Sequence, residues 1–209
     1  MTTTADDLRR DLLRAAFQMP SVQTMVSRKS SITNAFVGAV IPAVIPTHEE
    51  IEQALAILHS DPNDVRCAYC GDRSTEWDHL RPLVLNRRPT GFVSEIANLV
   101  PSCGKCNQSK GNKPWREWMM SKAKLSPTQR RVPGVAERMR LLEAYEQWRT
   151  PTKVDFAAIV GSAEWEQYWA LCEAVNAELR KAQDVADDIR QRIIDALKQQ
   201  KAAPRQPSP

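Results

Sequence analysis

Apolar residues recur at helical spacing near both ends of the chain and lose that period in the middle. Leu8, Leu12, Ala15 and Ala16 share one face behind Thr4, with Asp7 three residues on and Pro20 beyond. This is the pattern of a capped amphipathic helix that a proline ends. Residues 32–46, ITNAFVGAVIPAVIP, are apolar and β-branched but broken by Gly38, Pro42 and Pro46, which predicts a short buried helix and then an extended passage. Thr47 and Glu50 form a capping-box pair ahead of Ile51, Ala54, Leu55 and Leu58, predicting a helix over 48–60 that Asp61-Pro62-Asn63 closes in a turn.

From 65 to 113 the helical period vanishes. Cys, Gly, Asn and Pro punctuate short runs such as VRCAYCG and TEWDHL, which read as a small hairpin and loops. Pro114 suits the first turn of a helix carrying Trp115, Trp118 and Met119, and Gly134 precedes another with Val135, Met139, Leu142, Tyr145 and Trp148 on one side. Over 162–201 the positions Trp165, Tyr168, Cys172, Val175, Leu179, Ala182, Ala186, Ile189, Ile193 and Ala196 advance by threes and fours. That is a heptad-like seam, suited either to packing within the chain or to pairing with a second copy. The end of the chain, AAPRQPSP, reads as a disordered tail.

Composition narrows the class. The 209 residues are 42% hydrophobic and 26% charged, the make-up of a globular protein rather than a disordered or membrane one. The first residues lack the basic start and unbroken apolar run of a signal peptide, so the expected location is cytoplasmic with no membrane partner. The net charge of +4 is unevenly spread: residues 61–140 hold 15 Lys and Arg against 8 Asp and Glu, and the remainder 14 against 17. A basic surplus in the segment with the unusual residues suits a polyanion, whose condensed counterions such side chains release. Charge runs are also the ordinary covering of a solvated face.

Two Cys-x2-Cys pairs, Cys67/Cys70 and Cys103/Cys106, stand apart from the fifth cysteine, Cys172. Each pair can set two thiolates at one tetrahedral corner, and together they complete a closed structural Zn2+ site. A disulfide framework is the rival; a reduced compartment and a helical chain of this size weigh against it. The interval between the pairs is longer than a compact zinc ribbon needs. It contains Asp78-His79 and then Asn98, and CNQSKGNK begins at the last cysteine. Taken singly, an Asp beside a His, a turn asparagine and a helix-capping asparagine are each as ordinary as they are functional.

In this order the residues resemble the HNH (His-Asn-His) endonuclease family in its four-cysteine, zinc-containing form. Cys67, Cys70, Asp78, His79, Asn98, Cys103, Cys106 and Asn107 match it in order and spacing, over residues 65 to about 118. Lys110-Gly111 and the tryptophans that follow extend the match. The departure is Asn107 in the place of the last His of the family name.

The resemblance implies a mainly α fold with a small α+β insertion: a ββα-metal finger stapled by a four-cysteine zinc site and flanked by N- and C-terminal helices. It implies a metal-dependent DNA endonuclease, a phosphodiester hydrolase. His79 would be the general base, Asp78 and Asn107 the oxygen ligands of a catalytic Mg2+ or Mn2+, and Asn98 the residue that ties down the loop and orients His79. An unperturbed imidazole titrates at about 6.5, so acidification should reduce activity.

Lys110, Arg81, Arg87, Arg88, Lys105, Lys113 and Arg116 are the candidate phosphate contacts. Trp77, Trp115 and Trp118 are expected to pack around the knuckle rather than stack on bases. The expected organisation is an N-terminal helical region at 1–60, the nuclease domain at 61–124, a C-terminal helical region at 125–201 and the tail at 202–209. Double-stranded DNA is the expected partner, with homodimerisation through the C-terminal helix and a role in bacterial defence such as restriction. A non-catalytic zinc-stabilised nucleic-acid-binding protein and a homing or toxin-type HNH nuclease are the alternatives.

Overall fold

The computed structural model describes residues 4–17 and 20–202. Of the predicted tail, 203–209 lie outside the described residues, and Ala202 ends the last helix. In chain order the elements are α1 (Ala5–Ala16), α2 (Lys29–Val40), α3 (His48–Ile57), β1 (Glu76–His79), β2 (Val84–Leu85), β3 (Arg88–Pro89), β4 (Leu99–Ser102), α4 (Gly104–Lys110), α5 (Trp115–Met119), α6 (Val135–Trp148), α7 (Phe156–Val160) and α8 (Ser162–Ala202). The fold is mainly helical with two small two-stranded sheets, β1 with β4 and β2 with β3, both antiparallel.

Both capping pairs form. The Thr4 hydroxyl accepts from Asp7 N and the Thr47 hydroxyl from Glu50 N, while each N3 carboxylate reaches back to the cap N–H. These signals are readable in sequence because every partner lies three residues away. The helix expected over 48–60 stops at Ile57, because His59 takes a left-handed φ of 49°.

The described residues divide into two compact units, one formed by those within 1–29 and 175–202 and the other by residues 30–174. In the first, the Met25 amide donates to Gln183 Oε1 at 2.6 Å. Leu8, Leu12 and Leu13 of α1 and Ile189, Ile193 and Leu197 of α8 are exposed.

The second unit contains two cores. One gathers the four cysteines with Tyr69, Leu80, Val100, Trp115, Trp118 and Tyr145, and α3 packs against it through Ala54. Tyr145 OH of α6 donates to the carbonyls of Ile96 (2.5 Å) and Leu99 (3.0 Å), which pins the entry to β4. The other joins Val37 and Ile41 of α2, Val84, Val93, and Trp169 and Cys172 of α8. Thus the first part of the heptad-like seam packs within this unit, with Cys172 buried and Trp165 and Tyr168 partly so, whereas Val175, Ile189 and Ile193 further along are exposed. The passage after α2 is extended, as its prolines predict: Val44 N donates to Ser94 O at 2.8 Å and Ser94 N to Pro42 O at 3.2 Å. That pairing draws α2 and Ser94 to one wall of the cleft described next.

Among the described residues no helix is long and apolar enough to cross a membrane.

Candidate active site and metal centre

The pairing of β1 with β4 brings the two cysteine pairs together. Tight turns hold Cys67–Asp72, with Gly71 N donating to Cys67 O and Cys67 N to Asp72 O, both at 2.8 Å. Gly71 sits at φ +78°, and a Cβ there would meet Arg138 Nη2 at 2.2 Å, so the position takes no larger residue without displacing that guanidinium. The ladder places Ser102 opposite Glu76, so Cys103 follows directly off β4 and α4 carries Cys106. All four Sγ atoms are buried and lie within 4.8 Å of one another, Cys70 and Cys103 at 3.6 Å.

A tetrahedron of Zn–S bonds of about 2.3 Å sets sulfurs about 3.8 Å apart. The cluster is therefore compatible with a structural metal, and its all-thiolate donors suit zinc. Hydrogen bonds from Cys106 and Cys70 hold the Cys67 thiol down to about 3, and the same contact with Cys67 pushes Cys106 up. Burial would lower the Arg130 guanidinium, but Cys70, Cys106 and Cys103 outweigh it and hold it up. Arg138 Nη1 donates to Cys67 O at 3.4 Å. Two cations thus flank a cluster that carries negative charge once its thiols ionise.

On β1 side chains alternate, and Asp78 faces inward. Only 5% exposed, it accepts from Tyr69 OH at 2.5 Å and pairs with Lys110 Nζ at 3.0 Å. Tyr69 is fixed in turn by an edge contact with Trp118, whose indole N–H donates to Ser109 Oγ. Burial raises the Asp78 carboxyl and lowers the Lys110 ammonium, each opposed by attraction to the other. Lys110, a candidate phosphate contact by sequence, is 0% exposed and also donates to His79 O at 2.7 Å. Its position one turn past Cys106 on α4 aims it at β1 rather than at solvent. Breaking a buried pair by removing one partner costs about 3–5 kcal/mol. Lys110→Met should lose stability of that order in urea unfolding, and adding Asp78→Asn should restore part of it.

His79 faces the other way, half-buried, with Nε2 2.9 Å from Ser94 Oγ. Desolvation, then the Lys110 charge, lower its pKa to about 4. The imidazole is therefore neutral at pH 7. Asn98 is fully buried and clamps the backbone just beyond His79: its Oδ1 accepts from Arg81 N at 2.8 Å and its Nδ2 donates to Arg81 O at 3.0 Å. Asn107, in the second turn of α4, donates from Nδ2 to Glu76 Oε2 at 2.5 Å.

Asp78, His79 and Asn107 line a single cleft of about 810 Å³, walled on the far side by Ser30 and Asn34 of α2 and by Ser94. The cleft offers a carboxylate and an amide oxygen, hard donors of the kind Mg2+ or Mn2+ takes. Tyr69 and Lys110 occupy three of the roughly four acceptor positions of Asp78, which leaves a lone pair on Oδ1. The donor set fits such an ion. Sequence reasoning missed Glu76, Tyr69, Ser94 and the α2 wall. Only the carboxylate of Glu76, two positions before Asp78 and so on the same strand face, carried a signal that could have been read.

The other cations are scattered. Arg81 pairs with Glu146 (3.3 Å), Arg88 with Glu166 and Glu173 (3.1 and 3.5 Å), and Arg116 with Glu143 and Glu146 while lying over the Trp115 ring. Lys105 reaches Asp72 at 3.9 Å, Lys113 donates to Ser109 O at 2.9 Å, and both are exposed, as is Arg87. Trp115 and Trp118 pack as expected. Trp77 does not: strand alternation turns it away from the face that Asp78 shares with the core, and it is 56% exposed at the cleft.

A four-cysteine cluster beside an Asp-His strand and an asparagine-bearing helix defines a recognisable class, and residues 67–113 match the HNH endonuclease family. Over that segment the chain is similar to HNH endonuclease domains. A stretch of 57 residues is 44% identical to the CRISPR-associated endonuclease Cas9 of Corynebacterium diphtheriae, covering 25% of this chain and 5% of that protein. The chain thus spans about one-twentieth of the length of that relative. No solved structure matches the chain.

Proposed function

We propose that the protein is a metal-dependent DNA endonuclease that hydrolyses phosphodiester bonds in the cleft between β1, α4 and α2. The observation that carries this reading is the convergence of Asp78, His79 and Asn107 on one cleft beside a four-cysteine cluster. His79 is the general base. The ring nitrogen not engaged by Ser94 takes the proton from the attacking water, and Asn98 holds the chain beyond it so that the ring keeps its aim. Asp78 and Asn107 would hold Mg2+ or Mn2+, which when bound supplies charge neutralisation at the phosphate and the leaving oxygen. Lys110 holds Asp78 in place rather than meeting phosphate. Zn2+ on Cys67, Cys70, Cys103 and Cys106 fastens the two halves of the site.

The neutral base has a consequence for pH. A depressed imidazole pKa keeps the active form populated to lower pH, so the loss expected of an ordinary histidine at about 6.5 moves down towards about 4. Cleavage rates should be flat from pH 8 to pH 6, and a half-loss near 6.5 would show His79 to be solvated in the working enzyme.

The substrate in this reading is double-stranded DNA. The exposed Arg87, Lys105 and Lys113 meet phosphate, and Arg81, Arg88 and Arg116 join them by exchanging their glutamates. Exposed Ile189, Ile193 and Leu197 offer a surface through which two copies could pair and cut both strands, and light scattering reads the copy number. The setting we favour is bacterial defence by restriction, in the cytoplasm. Sequencing the ends produced from a genomic DNA library tests these points together. Clustered double-strand ends at a short motif are expected; rare single sites would indicate a homing nuclease, and ends scattered without motif a toxin.

A second reading has one observation in its favour: the Asp78 carboxylate is committed to Lys110 and Tyr69. A zinc-stabilised nucleic-acid-binding protein would need nothing more of it. Binding of DNA without cleavage at any concentration of Mg2+ or Mn2+ would establish that reading.

A further inference from the structure

Glu76 belongs to no part of the site that the sequence singled out, yet it touches a residue the mechanism depends on. It precedes Asp78 by two positions on β1, so both carboxylates project to the face on which α4 packs. Glu76 Oε2 lies 2.5 Å from Asn107 Nδ2, and the absence of a Cβ at Gly104 leaves room for the other oxygen, since a Cβ there would stand 3.0 Å from Oε1. An ionised carboxylate only accepts hydrogen bonds, so the end of the Asn107 amide against it must be the NH2 end. Rotating the amide by half a turn would set two oxygens against each other. The carbonyl oxygen is thereby directed to the opposite side of the amide group.

A divalent cation can use that oxygen and has no use for the NH2. From the contact between Glu76 and Asn107, we propose that Glu76 is a positioning residue that fixes the Asn107 amide with its carbonyl oxygen presented as a ligand. This rests on the reading of Asp78 and Asn107 as the cation's holders. Asparagine in this place has a freedom that histidine lacks, because its two ends differ in kind but hardly in shape. A neighbouring carboxylate removes that freedom.

The test is Mn2+ binding to the zinc-loaded full chain without DNA, followed by electron paramagnetic resonance, with zinc content and thermal midpoint recorded for each variant. Losing such an outer partner typically weakens metal binding by about 10–100-fold. Glu76→Ala should weaken Mn2+ by about tenfold or more within that range. Asn107→Ala should weaken it at least as much, and the double variant should bind no more weakly than Asn107→Ala alone. Glu76→Gln, which keeps an acceptor oxygen, should recover most of the loss. Gly104→Ala, which crowds the carboxylate without touching Asn107, should act in the same direction by less, and it serves as the probe should Glu76→Ala fail to retain zinc.

Wild-type affinity in Glu76→Ala alongside weakened binding in Asn107→Ala would overturn this inference and leave the catalytic reading standing. Losses that multiply in the double variant would also overturn it, by making Glu76 a ligand in its own right. A folded, zinc-loaded wild type that binds no Mn2+ would overturn both.

Discussion

Cys106→Ser should yield a protein without stoichiometric zinc in which the segment 65–119 no longer folds. Cys106 is fully buried on α4, and with Cys103 it is what joins that helix to the Cys67–Cys70 turn. The sheet it supports is four residues per strand, too small to be stable alone. Structural zinc supplies folding free energy on the order of 10 kcal/mol in small thiolate sites. A loss of that order is comparable with the whole net stability of a small domain, about 5–15 kcal/mol. Metal analysis should find one zinc per wild-type chain, and a strong chelator should abolish the near-ultraviolet signal of Trp115 and Trp118 packed on the knuckle. Cys67→Ser with no zinc, an unchanged thermal midpoint and an intact near-ultraviolet spectrum would remove the metal from the account.

His79→Ala should leave zinc content and thermal midpoint unchanged and lower the rate of DNA cleavage by about 10²–10⁴-fold, the usual contribution of a positioned base. The side chain is half-buried and its hydrogen-bond partner is Ser94 Oγ, so its removal disturbs little packing. By contrast, Asp78 is tied to Tyr69 and Lys110, and replacing it alters stability and chemistry together. The histidine is therefore the cleaner probe of catalysis. Retained DNA binding by His79→Ala would separate a lost chemical step from lost affinity.

What can be read from the sequence and what cannot follows the range of the interactions. The capping pairs Thr4 with Asp7 and Thr47 with Glu50 lie within one turn, and the cysteine pairs carry their geometry in their spacing. Glu76 with Asn107 and Asp78 with Lys110 are separated by 31 and 32 residues, and they meet only because β1 pairs with β4 and α4 folds back. Spacing says nothing of such contacts. Lys110 reads as a surface residue because it is a lysine, yet the structure buries it where a carboxylate and a carbonyl receive its charge. Trp77 reads as core because it is a tryptophan, yet alternation along β1 exposes it. Ser94 is invisible in the sequence because nothing in its neighbourhood marks it; it reaches His79 through the extended passage that Pro42 begins.

The central claim is that this cleft hydrolyses DNA, and the most direct measurement is nicking of supercoiled plasmid by the zinc-loaded protein with added Mg2+ or Mn2+, wild type beside His79→Ala. Relaxed or linear DNA is expected from wild type only when the divalent cation is present, and intact supercoiled DNA from the variant. Plasmid that is bound but left supercoiled by wild type at every metal concentration, or cut equally by both proteins, would contradict it.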